Sequence, residues 1–310
     1  MTVVTHNLLP GRLKCQKTKK KVISMKYPIA LVTDSTCDIP QSWREEFEIS
    51  VVPLSIHFGN DTYRDGVDLS PESFYERLER EEVHPTTSQP APQDFINTFQ
   101  ALQDGGAKEI IVFTISSAMS GTIESARLAA QDFSIPIHIV DSKNNSMGLG
   151  WQVIAAARAR EQGANAWEML EVATKVRQKM AYYISLNTLK YLEKGGRIGN
   201  ATKFLASLLQ IKPLIYVDPS TGIVHPSIPA RSRSAAIDGL FKEFFKHLNI
   251  TSPMHITVLH NAARDEAEAL AERVRETYHP AELFISIVSP VLGAHTGPKA
   301  IALCGYSESD

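Results

Sequence analysis

The sequence predicts an α/β protein made of two α/β domains, the first with a mostly parallel sheet covered by helices. Three observations predict it. Short apolar, β-rich runs alternate with amphipathic helical patterns along the chain. Polar motifs follow these runs directly, where open α/β sheets hold their ligands. A turn-like "EQGAN" (161–165) interrupts the alternation mid-chain and places a domain boundary near Gly163. At 310 residues, with 43% hydrophobic and 21% charged, the chain has the composition of a soluble globular protein and length for two modest domains.

In the first unit, strands are expected at 29–33, 49–58, 109–115 and 135–141, and helices at 71–82, 92–104, 120–131 and 147–162. In the second, a helix over 166–180 leads to strands at 182–186, 212–218, 222–227, 254–260 and 283–289, with helices near 200–210, 233–248 and 264–277. The units are thus 25–163 and 164–310. Residues 1–24 stand apart: Arg12, Lys14, Lys17, Lys19, Lys20 and Lys21 occur there with no acid. Those six cations account for +6 of a formal net charge of −2, so the remainder carries −8. With no helical or strand period, this head reads as a disordered basic extension, or Met25 is the true start. A nucleic-acid arm or a membrane-surface anchor is the other reading of such a head. It lacks the apolar core of a signal peptide.

A formal net charge of −2 argues against nucleic acid as the main partner. No run of about 18 apolar residues exists, so no membrane span is expected. The three cysteines, Cys15, Cys37 and Cys304, have no metal-ligand spacing and suggest a reducing, cytoplasmic compartment. Ten scattered histidines make no evident metal site.

The chemistry concentrates in "TISSAMSGTIESA" (114–126), rich in hydroxyls and free of Lys and Arg. Ser120 or Ser117 is a candidate N-cap for the following helix, and Gly121 allows close approach to the backbone. The unpaired amides of a helix start favour an anion, though an ordinary Ser-capped βα loop would read the same way. Neither a P-loop nor a dinucleotide fingerprint is present. The first strand ends in "TDSTCD", whose Asp34 would repel a phosphate, which disfavours a sugar-phosphate ligand. Asp34 is suited to orienting a hydroxyl or amide, or to an Asx-turn. A nucleophile elbow is also missing. A carboxylate, with one charge, is the anion that hydroxyls and a few amides can satisfy without Lys.

Five segments in order then carry a resemblance: "VTDSTCDIP" (32–40), "YRDGVDLSPESFYERL" (63–78), "TSQPAPQDF" (87–95), "SSAMSGTIESA" (116–126) and "YLEKGGRIG" (191–199), with "LGAHTGP" (292–298) in support. Together they resemble the DegV family, the fatty-acid-binding subunits of bacterial fatty acid kinase, from about residue 28 to about 305. The resemblance implies a ligand tunnel between the two domains. It implies a carboxylate site at Thr87, Ser88, Ser117, Ser120, Gly121 and His295, and implicates Arg197 and Arg231 in meeting the kinase subunit. The C-terminal domain would cover the acyl chain, with "FLASLL" (204–209) and "PLIYV" (213–217) as candidate wall. One departure stands out: the family pattern continues "HTGPG", whereas Lys299 occupies that Gly position here, where it could add a charge, narrow the mouth or point to solvent.

The implied function is non-catalytic. The chain would bind a long-chain fatty acid and present its carboxylate to a separate ATP-dependent kinase subunit, yielding bound acyl-phosphate for phospholipid synthesis. It would need no cofactor and make only transient membrane contact. The alternative is a serine hydrolase of lipid esters using Ser120 or Ser117 with His295 and Asp34.

Overall fold

The computed structural model describes residues 26–81, 83–207 and 211–308, with the side chains of 204–207 outside the description. The basic head, 1–24, and most of the expected 204–209 wall therefore lie outside the described residues.

The first lobe is built on a parallel sheet of β1 (Ile29–Asp34), β2 (Ile49–Val52), β6 (Glu109–Thr114) and β7 (Ile137–Asp141), in the order β2-β1-β6-β7. The register sets Leu31 beside Ile49 on one side and Ile111 on the other. The chain moves outward from β1 to β2 and, on the opposite side, from β6 to β7. The carboxyl ends of β1 and β6 therefore flank the topological switch point, where such sheets leave a crevice. Helices α3 (Pro92–Asp104), α4 (Thr122–Ala130) and α5 (Ser146–Glu161) cover this sheet, after the short α1 (Gln41–Glu46). Phe95 and Phe99 of α3 are completely buried against Val32 and Val112.

The expected single strand over 49–58 is two. Pro53 has no N–H to donate and ends β2. The chain then enters a separate three-stranded antiparallel sheet, β4-β3-β5, of β3 (Ser55–Phe58), β4 (Asp61–Arg64) and β5 (Thr86–Ser88), beside α2 (Pro71–Arg80).

The second lobe has a six-stranded mixed sheet, β10-β9-β8-β13-β11-β12. Its strands are β8 (Ala181–Ser185), β9 (Lys212–Val217), β10 (Val224–Ala230), β11 (Met254–His260), β12 (Glu282–Ile287) and β13 (Ile301–Ser307). Only β11 and β12 pair in parallel; the other pairs are antiparallel. Helices α8 (Arg233–Lys246) and α9 (Arg264–Tyr278) pack one face, burying Phe244 and Leu270. The other face meets the first lobe through α5 and α6 (Ala166–Gln178), which turn into one another at Gly163, φ +89°. Asn165 caps α6 by accepting the Trp167 and Glu168 N–H groups, and Glu168 reaches back to the Asn165 N–H. One apolar cluster runs from Leu31 and Phe113 through Trp151 to Tyr182, Ile184 and Ala302, so both sheets share it. The helix expected near 200–210 is a 3-10 stretch, Gly199–Ser207, following the short α7 (Lys190–Lys194).

Candidate functional site

A cavity of about 390 Å³ opens between the lobes at the switch point. Its long wall is apolar: Leu54 and Ile115 from the first lobe, and Ile184, Ile215, Leu259, Val288, Leu292 and Ala302 from the second. Of the expected "PLIYV" wall only Ile215 faces it. Its polar end gathers Thr87, Ser88, Gln89, Ser120, Gly121, Arg197 and His295.

His295 is carried by the short helix α10 (Pro290–Thr296), between Gly293 and Gly297. The helix is possible because Gly293 lets it lie on α2: a Cβ there would stand 2.6 Å from the Tyr75 hydroxyl oxygen. A first-lobe carboxylate holds the start of α10. Asp38 accepts from the Ser289 N–H at 2.9 Å and the Ser146 hydroxyl at 2.5 Å, and burial pushes it up to about 7. Asp65, beside it, accepts from the Ser35 hydroxyl at 2.7 Å, and burial pushes it up to about 8. Tyr75 donates to the Val288 carbonyl at 3.0 Å. The helix thus runs along the cavity from Val291 at its anchored end to His295 at the polar end.

There His295 Nε2 lies 2.8 Å from Thr87 Oγ1, joining α10 to β5. Nδ1 is buried without a partner, against Gly195, where a Cβ would stand 2.1 Å away. Burial, reinforced by the charges of Arg197 and His84, holds the imidazole down at about 4. It is therefore neutral near pH 7. A bare Nδ1 fits the tautomer in which Nε2–H donates to Thr87 Oγ1, which leaves the Thr87 O–H free to donate into the cavity. Ser88 Oγ lies 2.9 Å from His57 Nε2. Arg197 lies exposed at the mouth, donating to the Met119 carbonyl at 3.2 Å and the Gly195 carbonyl at 2.8 Å.

The serine loop divides. Ser120 faces the cavity, and its hydroxyl pairs with Thr122 Oγ1 at 2.9 Å. Ser117, expected in the head-group set, does not line the cavity. It is exposed, and both its N–H and its hydroxyl donate to the Asp141 carboxylate, at 3.1 and 2.5 Å. Neither serine is the N-cap of α4; Gly121 occupies that place. Gly121 is closely approached as expected, but by a side chain: a Cβ there would stand 2.2 Å from Gln89 Oε1. Gln89 and Asn145 are lining residues that the sequence did not single out, although Gln89 sits within the quoted "TSQP". Arg231 lies exposed just after β10 and away from the cavity lining. Lys299 is exposed, with φ +62° in the region its usual Gly favours, and its charge lies beside Glu266 rather than the cavity.

The Ser–His–Asp alternative is not assembled among the described residues. Asp34 is fully buried in an Asx-turn, accepting from the Thr36 N–H at 3.0 Å and the Ile115 N–H at 2.7 Å. Its carboxylate is spent tying β1 to β6, and the His295 contact goes to Thr87. Cys37 is buried, and desolvation raises its thiol to about 12, a poor thiolate. Among the described residues no cluster of three or more His, Cys, Asp or Glu could hold a metal, and no helix is long and apolar enough to cross a membrane.

Fold and cavity together define a two-lobed α/β protein with a largely apolar cavity between its lobes and hydroxyls at the polar end of that cavity. The chain belongs to the DegV family: that family's profile, described as "Uncharacterised protein, DegV family", matches residues 28–308. It is 35% identical over 276 residues to a DegV domain-containing protein of Streptomyces coelicolor, covering 89% of this chain and 97% of that one. Protein DegV of Bacillus subtilis is 30% identical over 278 residues, 89% of this chain and 98% of its own. Among solved structures, a fatty-acid-binding DegV family protein from Thermus thermophilus superposes with a TM-score of 0.85 at 31% identity, covering 90% and 99% of the two chains. The fatty acid binding protein DegV of Bacillus subtilis gives 0.84 at 28%, covering 91% and 100%.

Proposed function

We propose that this protein binds a long-chain fatty acid and presents its carboxylate to a separate ATP-dependent kinase subunit, which converts it to bound acyl-phosphate for phospholipid synthesis. The observation that carries the reading is the cavity itself: apolar along its length, with Thr87, Ser120 and His295 converging at one end. The Thr87 and Ser120 hydroxyls donate to the carboxylate, with Ser88 and Gly121 beside them, and His295 orients Thr87. The fatty-acid ligands of the Thermus and Bacillus relatives support the choice of ligand. Arg197 at the mouth and exposed Arg231 are the proposed contacts with the kinase subunit. The protein acts in the cytoplasm, meets membranes only transiently and requires no cofactor.

Lipid extraction and mass spectrometry of gently purified protein test the ligand; a co-purifying long-chain fatty acid is expected. Incubation with ATP and oleate tests the division of labour. The protein alone should consume no ATP and hydrolyse no ester. Absence of lipid together with ester turnover would favour the hydrolase.

A further inference from the structure

Of the loop's three serines, Ser116 is fully buried, and the loop is built around it. Its N–H donates to the Asn144 carbonyl at 2.8 Å, and its own carbonyl accepts the Met119 and Ser120 N–H groups at 2.9 and 3.1 Å. Its hydroxyl accepts from the Ala118 N–H at 3.2 Å and donates to the Gly222 carbonyl at 2.9 Å. That last bond leaves the first lobe. Gly222 belongs to the turn between β9 and β10, has φ +74°, and would bring a Cβ within 2.1 Å of the Ser116 hydroxyl. The turn is itself stiff: the Asp218 carboxylate accepts from the Ser220 N–H and hydroxyl and from the Thr221 hydroxyl. A second tether joins it to the first lobe, from Lys143 Nζ to the Ser220 carbonyl at 2.6 Å. The two strands that this turn links carry Ile215 and Val224 in the cavity wall.

We propose that Ser116 is a positioning residue for the ligand head group: by joining the serine loop to Gly222, it fixes the Ser120 hydroxyl relative to the tail wall of β9 and β10. The inference rests on the fatty-acid reading above. A hydroxyl serving only its own loop would need the Ala118 N–H alone; the bond donated to Gly222 has no local purpose. Removing the hydroxyl leaves the part-buried Ala118 N–H and the buried Gly222 carbonyl without this partner, and the carbonyl regains one only if the loop moves. Hydrogen bonds weaken steeply with poor alignment, whereas apolar contact with the tail is non-directional. A displaced Ser120 therefore costs affinity for the carboxylate and little for the chain.

The test is the dissociation constant of oleate and of oleyl alcohol for wild type, Ser116→Ala, Gly222→Ala and Lys143→Ala. Ser116→Ala should weaken oleate about five- to tenfold, the net worth of about one hydrogen bond, and oleyl alcohol by no more than about twofold. Gly222→Ala should act in the same direction from the other lobe. General loss of stability would weaken both ligands alike, so the acid-to-alcohol preference isolates positioning. If the buried variants fail to fold, Lys143→Ala carries the test: it should narrow the preference by a smaller factor. An unchanged preference in Ser116→Ala, or in Lys143→Ala where only that variant folds, overturns the positioning role. A wild type that does not prefer acid to alcohol sinks the fatty-acid reading, and this inference with it.

Discussion

Thr87→Val tests the head-group site most directly. It deletes one hydroxyl and keeps the β-branched shape that suits β5. In the proposed complex that hydroxyl accepts from His295 Nε2, 2.8 Å away, and donates to the ligand carboxylate. A hydrogen bond to a charged group contributes ~1.5–3 kcal/mol, so a fatty acid should bind roughly 10- to 150-fold more weakly. The matched alcohol offers no charge and should lose at most a fewfold, about the worth of a neutral bond. Ser120→Ala should behave similarly. Because both donors serve one carboxylate, the double variant should lose less than the product of the single losses. A second effect needs no ligand: His295, whose Nδ1 is already unpaired, loses its remaining partner. An orphaned buried polar group costs about 1–3 kcal/mol, to be read as a lower urea midpoint at unchanged slope. Fluorescence displacement gives the affinities. If acid and alcohol weaken equally, Thr87 only supports the β3–β5 pairing, and the head-group reasoning fails.

Arg197→Ala should lower acyl-phosphate formation with the kinase subunit more than it lowers fatty-acid affinity, since its guanidinium is exposed at the mouth; equal losses would assign it to the cavity wall. Lys299→Gly should stabilise the fold by roughly 0.5–1 kcal/mol in urea unfolding, relieving a left-handed residue at the expense of glycine's extra chain entropy, and should leave ligand affinity unchanged. The His295 imidazole should stay neutral at pH 5.5 by NMR. Its folded value is depressed, so its contribution to stability is complete above the unfolded 6.5 and is lost as pH falls toward about 4. That fall corresponds to about 3 kcal/mol, and His295→Phe should lose stability less steeply across this window; an unchanged acid limb would show that the histidine is not desolvated.

Most of the regular elements were legible. Pro92 and the spacing of Phe95 and Phe99 mark α3 over its full span, and the β-branched runs mark β1, β6 and β11. The failures have physical causes. β5 is three residues long and exists only through pairing with β3, Ile56 opposite Thr87, so no local pattern announces it. β13, "IALCGYS", was not expected: it is buried on both faces inside its sheet and shows no alternation, and Gly305, lying against the His255 carbonyl, weakens its strand signal. α10 contains two flexible-looking residues, Gly293 and His295, and is fixed by Asp38 and Tyr75 from the other lobe, a tertiary effect invisible in its own seven residues. The serine loop stood out in the sequence as a candidate site, but hydroxyl identity could not say which side chain faces the cavity. That is decided by Asp141 taking Ser117 and Gly222 taking Ser116.

Magnitudes explain why the proposed site uses so little charge. Burying a chain of about fifteen methylenes contributes roughly 12 kcal/mol gross at ~0.8 kcal/mol each, far more than the head group's few hydrogen bonds. The tail wall therefore supplies affinity, and the polar end supplies direction: it decides which end of the ligand reaches the mouth. A buried lysine or a protonated histidine there would bind the carboxylate more tightly but would also neutralise the oxygen that must attack a phosphoryl donor. Hydroxyl donors and an imidazole held neutral at about 4 orient that oxygen and leave its charge in place. Arg197, the cation at the rim, is engaged with the Met119 and Gly195 carbonyls rather than with a buried acid. Under the proposed reading, such a site would keep a carboxylate nucleophilic and facing outward, which a presenting subunit requires and a hydrolase does not.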